Sequence, residues 1–346
     1  MFPYWLLFGV CAIGALIARP QDDADRLSPL FWLVGIFIAF LVGLRYEVGA
    51  DWNTYLLIFE RSSHVSFESI FRRSDPAYQL INWWADENNW RIWVVNLACG
   101  AIFSWGLIRF CLTQPYPWIA LTVAVPYLVI VVAMGYTRQG AALGIILAGL
   151  ANYLRRDSIL KFAAYIAFAA LFHSTAVVAF VLVSLTSRRN RLVNFIGAIA
   201  VTILFYNLFL GSSVERFYGV YIKTGYSSQG AFIRIAMDVS AAALFVFIGR
   251  KLAFSEVEYR IWRNFAIASF LALVGLMISP SSTAVDRLAI YLLPIQIAVF
   301  GRLPVLAAQN IFSRLVPIAL FGLVLFIWLN FAQFAQLWLP YRMFSF

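Results

Sequence analysis

The sequence is short of charge. Asp, Glu, Lys and Arg make up 12% of its 346 residues, whereas soluble domains carry roughly a quarter. Hydrophobic residues make up 63%, and they fall in long runs such as "PLFWLVGIFIAFLVGL", residues 29–44. In hydrocarbon a chain must satisfy its own backbone polar groups, which an apolar helix of about 18 or more residues does. The composition excludes a water-soluble globular protein and predicts an all-α polytopic membrane protein.

Cysteine is also scarce, with only Cys11, Cys99 and Cys111 in the chain. Each lies in or beside an apolar segment, so we interpret them as small hydrophobic side chains rather than a disulfide framework. The first apolar run, "FPYWLLFGVCAIGALIA", has no basic leader, and we interpret it as a first span rather than a signal peptide. Because no internal repeat or low-complexity segment is visible, residues 1–346 are predicted to form one integral membrane domain.

The net charge of +10 bears on topology, because basic residues of a membrane protein concentrate in cytoplasmic loops. The pattern predicts about ten transmembrane helices. Outer loops are expected at about 45–90 and 212–230, and both chain termini are expected to face outward. The predicted spans are 2–18, 29–44, 91–110, 117–135, 138–154, 192–211, 231–249, 261–279, 287–303 and 315–335.

Residues 161–187 do not fit this series of spans. They are apolar, but "RRDSILK" before them and "SRRNR" after them are both basic, so the positive-inside rule places both flanks in the cytoplasm. About 25 residues can cross a core of ~30 Å once but not twice. We therefore predict a re-entrant helical hairpin with His173 and Ser174 at its tip. A single span with "SRRNR" outside is the alternative.

Several ionisable residues lie on the outward side of this topology, where the positive-inside rule does not explain them. Charged groups inside or at the lip of a helix bundle are costly and usually face a cavity, so they mark a candidate functional site. Purely structural roles remain as alternatives. An arginine at the end of a span can extend its charged group to the membrane surface, and oppositely charged residues four apart can form an ion pair within one helix. The set consists of Arg45, Asp51, Arg138, His173, Arg234, Asp238, Asp286 and Arg287.

Arginines at the lip of an apolar cavity suit a particular class of ligand. A guanidinium matches phosphate oxygens bidentately and keeps its charge when partly desolvated. We therefore predict a lipid whose head group is a phosphate or pyrophosphate. Gln139 lies beside Arg138, and Tyr55 lies on an amphipathic stretch of the outer loop. The aromatic residues of the outer loops fit either an interfacial belt or stacking on sugars. The arginine candidates are Arg45, Arg138, Arg234 and Arg287.

Three blocks of sequence carry a family resemblance. "LRYEVGADWNTYLLIFE" at 44–60 combines an arginine, a Val-Gly pair, an aspartate and a tyrosine after the second predicted span. "DPAYQLINWW" follows at 75–84, and residues 136–178 run from "YTRQGAAL" to an apolar stretch ending at His-Ser. In this order the blocks resemble the EpsG-like family of bacterial polysaccharide polymerases, akin to the Wzy type. The C-terminal half matches only in hydropathy and in "DRLAIYLLPI".

The resemblance implies a GT-C type of fold and a reaction at the outer face of the bacterial inner membrane. In the reaction that the resemblance implies, a growing glycan on undecaprenyl pyrophosphate is transferred to the terminal sugar of another lipid-linked repeat unit. The leaving pyrophosphate needs cations, and the attacking hydroxyl needs a proton acceptor. His173 and Asp51 are favoured as acceptors because the resemblance covers both. The acceptor candidates are His173, Asp51, Asp238 and Asp286, and further substrate contacts are expected from Gln139, Tyr55 and Tyr291.

Neither a metal nor another cofactor is predicted, because arginines can neutralise a pyrophosphate and the predicted outer side has no Asp-x-Asp pair. The expected partners are the undecaprenyl-pyrophosphate-linked oligosaccharide and membrane lipids, and not nucleic acid. The resemblance alone adds a chain-length regulator and a flippase of the same pathway.

Other functions suit the same features. A flippase or other transporter of lipid-linked oligosaccharides also needs an arginine-lined cavity, although transporters usually show repeated span patterns. A membrane-bound O-acyltransferase acting on polysaccharide also uses a membrane histidine, and His173 leaves that alternative open. A structural membrane subunit is the third alternative.

Overall fold

The chain is helical wherever the structure describes it. Extended backbone pairs at one isolated bridge in this part of the chain, between Arg45 and Met343, so the prediction of an all-α protein is confirmed for the described residues. A computed structural model describes residues 1–18, 29–186, 230–307 and 310–345.

The helices are numbered in chain order over the described residues. The first group is α1 (Phe2–Ile17), α2 (Pro29–Gly43), α3 (Trp52–Glu60), α4 (Phe67–Ile70), α5 (Pro76–Glu87), α6 (Ile92–Cys111), α7 (Pro117–Ala124), a π-helical segment (Val125–Ala133), α8 (Thr137–Arg156), α9 (Ile159–Ala170) and α10 (Val178–Ser184). The second group is α11 (Ala231–Ile248), α12 (Glu256–Ile278), α13 (Ser282–Ala289), α14 (Pro294–Phe300) and α15 (Ile311–Phe331).

Four of the described helices are long and apolar enough to cross a membrane, and a broken pair that bends by 45° forms a fifth if it is one span. These findings support a multi-pass membrane protein. The predicted span 192–211 and residues 212–229 of the predicted loop 212–230 lie outside the described residues. The count of about ten spans stays a prediction. The four helices are Ile92–Cys111, Ala231–Lys251, Glu256–Ile278 and Ile311–Phe331, and the broken pair is Ser282–Leu292 with Pro294–Ala307.

Several helix ends differ from the predicted spans because polar caps and prolines, not the first apolar residue, set them. α12 begins ahead of the predicted 261, since Ser255 and Glu258 form a capping box. α15 begins ahead of the predicted 315, since the Asn310 side chain accepts an N–H of its first turn. The predicted span 287–303 is broken at Pro294, which has no N–H to continue the helix.

The core of the bundle is the stretch from Pro117 to Arg156. Every residue of α7 and of the π-helical segment is buried, as are most residues of α8. Helices that are hydrophobic all round are expected inside a bundle. α6 packs on α8 where Gly106 faces the backbone of Gly144, and small residues allow such close approach. The core thereby fixes the first turn of α8, which carries Arg138.

The predicted hairpin segment reverses direction at Leu171–His173, between α9 and α10. Both legs return to Tyr153, near the last turn of α8. The Tyr153 ring lies 5.9 Å from the ring of Phe162 in α9, and its hydroxyl lies 3.2 Å from Thr186 Oγ1 just after α10. These contacts describe a helical hairpin with His173 at its tip, and its re-entrant position in the membrane stays a prediction.

Residues 335–345 fold back over the end of the bundle at which α8 begins, which we name the outer end after the predicted topology. The backbone N–H of Gly49 donates to the carbonyl of Leu337 at 2.9 Å. Gly49 has a φ of 108°, and a side chain there would collide with the carbonyl of Met134, so the position requires glycine. The loop that leads to Asp51 is therefore held between segment 335–345 and the core.

The close approach of α6 and α8 gives a testable prediction. We expect Gly106→Ala to lower the thermal unfolding midpoint of the detergent-purified protein, because the added methyl group overlaps the carbonyl oxygen of Gly144. Overpacking of this kind costs about 1–3 kcal/mol. Gly9→Ala in α1 is the matched control, since no atom lies within 4 Å of its added methyl group. Equal midpoints for the two variants would contradict the proposed packing.

Candidate active site

Three ion pairs meet at the outer end, and each joins segments that are far apart in the chain. All of the paired residues except Asp75 belong to the set predicted from sequence. In an apolar bundle such pairs fix the segments that carry them, because separating a partly buried pair leaves a charge without compensation. The pairs are Arg138 with Asp75, Arg287 with Asp51, and Arg234 with Asp286.

Arg138, at the start of α8, lies between an acid and two aromatic rings. Its guanidinium donates to Asp75 at 2.6 Å and lies 5.8 Å from the ring centres of both Tyr55 and Tyr78. Cations are attracted to aromatic faces at this range. Asp75 precedes α5 in the left-handed conformation, with φ 57° and ψ 58°, which is uncommon for a residue other than glycine. The outer loop thus presents a carboxylate to α8 at some cost in backbone strain.

The tip of the hairpin rests on the same carboxylate. The backbone N–H of Ser174 donates to one oxygen of Asp75 at 3.2 Å, and Nδ1 of His173 lies 3.8 Å from the other oxygen. The backbone N–H of Ala77 donates to the carbonyl of Leu171 at 3.0 Å. Asp75 therefore lies between a guanidinium and an imidazole, and α5 is joined to the hairpin through both backbone and side chain.

A second cluster surrounds Tyr136, which immediately precedes α8. The guanidinium of Arg287 lies 4.1 Å from the centre of the Tyr136 ring, and Arg234 donates to its hydroxyl at 3.2 Å. Arg234 also holds Asp286 with two nitrogens, one of them at 2.5 Å, which is the bidentate geometry that arginine forms with carboxylates. Arg287 reaches Asp51 of the outer loop at 3.1 Å. Two guanidiniums thus share one tyrosine.

The two clusters are linked by residues that the sequence suggested as further substrate contacts. The Gln139 side chain donates to the backbone carbonyl of Arg287 at 2.5 Å. The hydroxyl of Tyr291 lies 3.2 Å from Thr175 Oγ1, just past the hairpin tip. Gln139 and Tyr291, like Tyr55 beside Arg138, therefore lie among the charged residues of the outer end.

Arg45 lies apart from the three ion pairs. Only 1% of the residue is exposed. Its guanidinium donates to the backbone carbonyls of Val42 and Val48 and to Oγ1 of Thr137 at 2.6 Å. These contacts tie the end of α2 to the start of α8.

Asp238 is not a member of the three ion pairs. It is 1% exposed and accepts a hydrogen bond from the Gln296 side chain at 2.7 Å. Arg234, one turn earlier on the same helix, holds Asp286 of α13 with two nitrogens. Arg234 therefore joins α11 to α13 through Asp286.

The sequence did not single out Asp75, Tyr78 or Tyr136 as site residues. An aspartate before a proline is typical of a helix start, and the two tyrosines resemble the other aromatic residues of an interfacial belt. The block "DPAYQLINWW" contains the one signal that could have found the first two.

Burial and charge oppose each other at Asp75. Burial alone would raise the pKa of its carboxyl group, but the neighbouring imidazole of His173 and the charge of Arg138 hold that pKa below its usual value. The carboxylate therefore stays charged near neutral pH. Burial raises the pKa of Tyr55 and of Tyr78, so both hydroxyl groups stay protonated.

Several buried polar atoms at the site have no hydrogen-bond partner. A buried polar group in that state costs about 1–3 kcal/mol. Departures of this kind are expected where function constrains the arrangement. The atoms are the Tyr78 hydroxyl oxygen, Arg138 Nε, Gln139 Oε1 and His173 Nδ1.

The depressed pKa of Asp75 predicts how stability depends on pH. The charged Asp75 carboxylate contributes its full stabilisation of the folded protein above the unfolded-state pKa of ~3.9 for an aspartate. This contribution is lost as the pH falls through the lower pKa that Asp75 has in the folded protein. We expect Asp75→Asn to lower stability at pH 7 by roughly 2 kcal/mol, less than for a fully buried pair because the Arg138 side chain is 25% exposed. The difference from wild type should shrink below about pH 4.

Thermal unfolding in detergent between pH 3 and pH 7 measures this difference. Glu87→Gln, an exposed acid on the same helix α5, is the control and should match wild type throughout. A difference between wild type and Asp75→Asn that stays constant over the whole range would contradict the assignment.

The part of the chain that matches a known protein family includes both clusters. The model of the EpsG family matches residues 29–343, which confirms the resemblance seen in the three sequence blocks. No curated protein and no solved structure matches the chain. The chain belongs to the EpsG family.

Proposed function

We propose that this member of the EpsG family is a glycosyltransferase that joins undecaprenyl-pyrophosphate-linked oligosaccharide repeat units into a polysaccharide. Family membership supports the coarser statement, a polysaccharide-polymerase type of membrane protein with a lipid-linked oligosaccharide as substrate. The observation that carries the finer statement is the convergence of Arg138, Arg234 and Arg287, from three helices, at one end of an apolar bundle.

The cluster around Tyr136 is proposed to bind the pyrophosphate of the donor. Arg234 and Arg287 both contact this tyrosine, and their side chains are 12% and 20% exposed. A pyrophosphate carries more negative charge than a carboxylate, so it can compete with Asp51 and Asp286 for the guanidiniums. Fixed cations in a partly dry site stabilise the charge that develops on the leaving group. Metal independence is part of the proposal, because two guanidiniums can supply this charge.

The proposed reaction transfers the growing chain. A hydroxyl oxygen of the acceptor's terminal sugar attacks the anomeric carbon of the donor, and a new carbon–oxygen bond forms. The bond from that carbon to the pyrophosphate oxygen breaks, and undecaprenyl pyrophosphate leaves with the bonding electron pair. The hydroxyl proton passes to a positioned base, for which His173 and Asp51 are the proposed groups. Asp286 and Asp238 are both buried, which disfavours both.

The remaining predicted residues are proposed to support this chemistry. Gln139, Tyr55 and Tyr291 lie between the two clusters, where the sugars next to the pyrophosphate would be held. Arg45 is proposed as a positioning residue, since its contacts hold the loop that leads to Asp51. We further propose a GT-C-like arrangement in one membrane domain and a site that faces the periplasm from the inner membrane. A chain-length regulator and a flippase of the pathway are the proposed protein partners.

A transporter of the same lipid is a second candidate, favoured by one observation. Helices α13 and α14 belong to a pair that is bent by 45° at its break, and Asp286 and Arg287 lie on α13 before that break. Broken helices that carry charges line the binding sites of many transporters.

Polymerisation can be tested with purified protein in nanodiscs and a verified lipid-pyrophosphate-linked repeat unit. We expect wild type to produce a ladder of chain lengths on a gel in the presence of a chelator. Arg287→Ala should reduce the ladder by at least ~10²-fold, as loss of one charge-stabilising group does elsewhere. Arg72→Ala, an exposed arginine of the outer loop, is the matched control and should polymerise normally.

Two outcomes would count against the proposal. Wild-type protein that makes no ladder yet moves the same lipid across a vesicle membrane would replace the polymerase by the transporter. A ladder that the chelator abolishes and added divalent cations restore would refute metal independence.

The proposed orientation can be tested by cysteine labelling, because the three natural cysteines are buried. We expect a membrane-impermeant maleimide to label Arg72→Cys in intact spheroplasts. Arg156→Cys, exposed at the far end of α8, should be labelled only after the membrane is broken. The reverse pattern would place the site on the cytoplasmic side.

A further inference from the structure

We infer that Asp75 is a positioning residue for the transfer reaction, which orients the imidazole of His173 so that Nε2 takes the proton of the attacking hydroxyl. The inference rests on the proposed function and selects His173 over Asp51 as the base. The juxtaposition that carries it is a carboxylate of the outer loop placed between the guanidinium of Arg138 and the tip of the hairpin.

The Asp75 carboxylate is fixed by donors on both of its oxygens. One oxygen accepts the backbone N–H of Ser174 at 3.2 Å, and the other accepts from Arg138 at 2.6 Å. Nδ1 of His173 lies 3.8 Å from that second oxygen, is buried and has no hydrogen-bond partner. A small rotation of the imidazole would bring Nδ1 into hydrogen-bond distance of an acceptor that is already held in place.

The backbone around Asp75 also holds it against the hairpin. Its left-handed conformation directly precedes Pro76, and such a conformation persists only where the surrounding structure fixes it. The hydrogen bond from Ala77 to the Leu171 carbonyl joins the first turn of α5 to the chain two residues before His173. The distance between carboxylate and imidazole is therefore set by neighbouring backbone, not by two free side chains.

This arrangement determines which ring nitrogen can act as the base. A neutral imidazole carries one hydrogen, and a carboxylate beside Nδ1 favours placing it there, which leaves the lone pair on Nε2. When Nε2 takes the hydroxyl proton, the carboxylate stabilises the imidazolium, as orienting carboxylates do in other acyl- and group-transfer sites. The acceptor oxygen meanwhile bonds to the anomeric carbon, and the pyrophosphate leaves with its electron pair.

Asp51 is placed for a different role. Its carboxylate lies 3.1 Å from Arg287, in the cluster proposed to bind the pyrophosphate. A carboxylate next to a bound pyrophosphate is repelled by it unless an arginine stays between them. Asp51 therefore serves as the counter-charge of Arg287 before the donor arrives.

The tautomer of His173 can be measured directly, because the chain has only two histidines. In a His64→Gln background, ¹⁵N-histidine labelling leaves one imidazole in the NMR spectrum. We expect the neutral ring to carry its hydrogen mainly on Nδ1, and Asp75→Asn to shift the majority to Nε2–H. Asp75→Glu should restore part of the Nδ1–H signal, and Glu87→Gln should leave it unchanged. The NMR measurement requires no substrate.

Activity is measured in the same variants by the rate of ladder formation in nanodiscs. We expect Asp75→Asn to reduce transfer by about 10²-fold or more, within the range for loss of an oriented general base. Its binding of undecaprenyl pyrophosphate should stay within about twofold of wild type, since the proposed phosphate cluster is intact. Asp75→Glu should recover part of the rate, which loss of folding alone would not allow.

The outcomes separate this inference from the proposed function. The inference would be overturned if wild type makes a ladder and Asp75→Asn keeps both the wild-type His173 tautomer and the wild-type transfer rate. The proposed polymerase function would then be unaffected. Absence of a wild-type ladder would overturn the proposed function, and the role of Asp75 in transfer with it. Loss of undecaprenyl pyrophosphate binding in Asp75→Asn would also overturn the inference, because Asp75 would then act on the donor site.

Discussion

Three partly buried arginines at the outer end, Arg138, Arg234 and Arg287, each receive a counter-charge from a distant part of the chain. Asp75 and Arg138 are 63 residues apart, and Asp51 and Arg287 are 236 apart. Because an unpaired charge at such a place is costly, each pair restrains two segments at once. The outer loop, the hairpin and α13 are thereby fixed on the core by the same contacts that form the candidate site.

The site combines residues of the buried core with residues of segments that pack on it from outside. α8 begins at the edge of a buried core, so Arg138 and Gln139 have little freedom. The outer loop and the hairpin reach the site from outside that core and meet it through Asp75 and Ser174. The candidate site therefore depends on contacts between the core and these outer segments.

The arginines could be identified from the sequence because a charged residue inside an apolar run is costly and therefore uncommon. Arg138, Arg234 and Arg287 stood out in this way, and the structure brings them to one end of the bundle. Their partners could not be predicted. The i, i+4 spacing of Arg234 and Asp238 suggested an intrahelical pair, but which acid lies across from Arg234 depends on helix packing that no local pattern encodes. Asp75 was missed because an aspartate before proline has an ordinary explanation as a helix cap.

The fold-back of residues 335–345 has a consequence for biosynthesis. The Tyr341 hydroxyl donates to the carbonyl of Leu41, a residue made 300 positions earlier, and Leu337 accepts the N–H of Gly49. These closing contacts can form only after nearly all of the described helices have been inserted. A nascent chain held in the translocon therefore has an outer loop that is not yet fastened. Its candidate site is therefore assembled only after segment 335–345 has been synthesised.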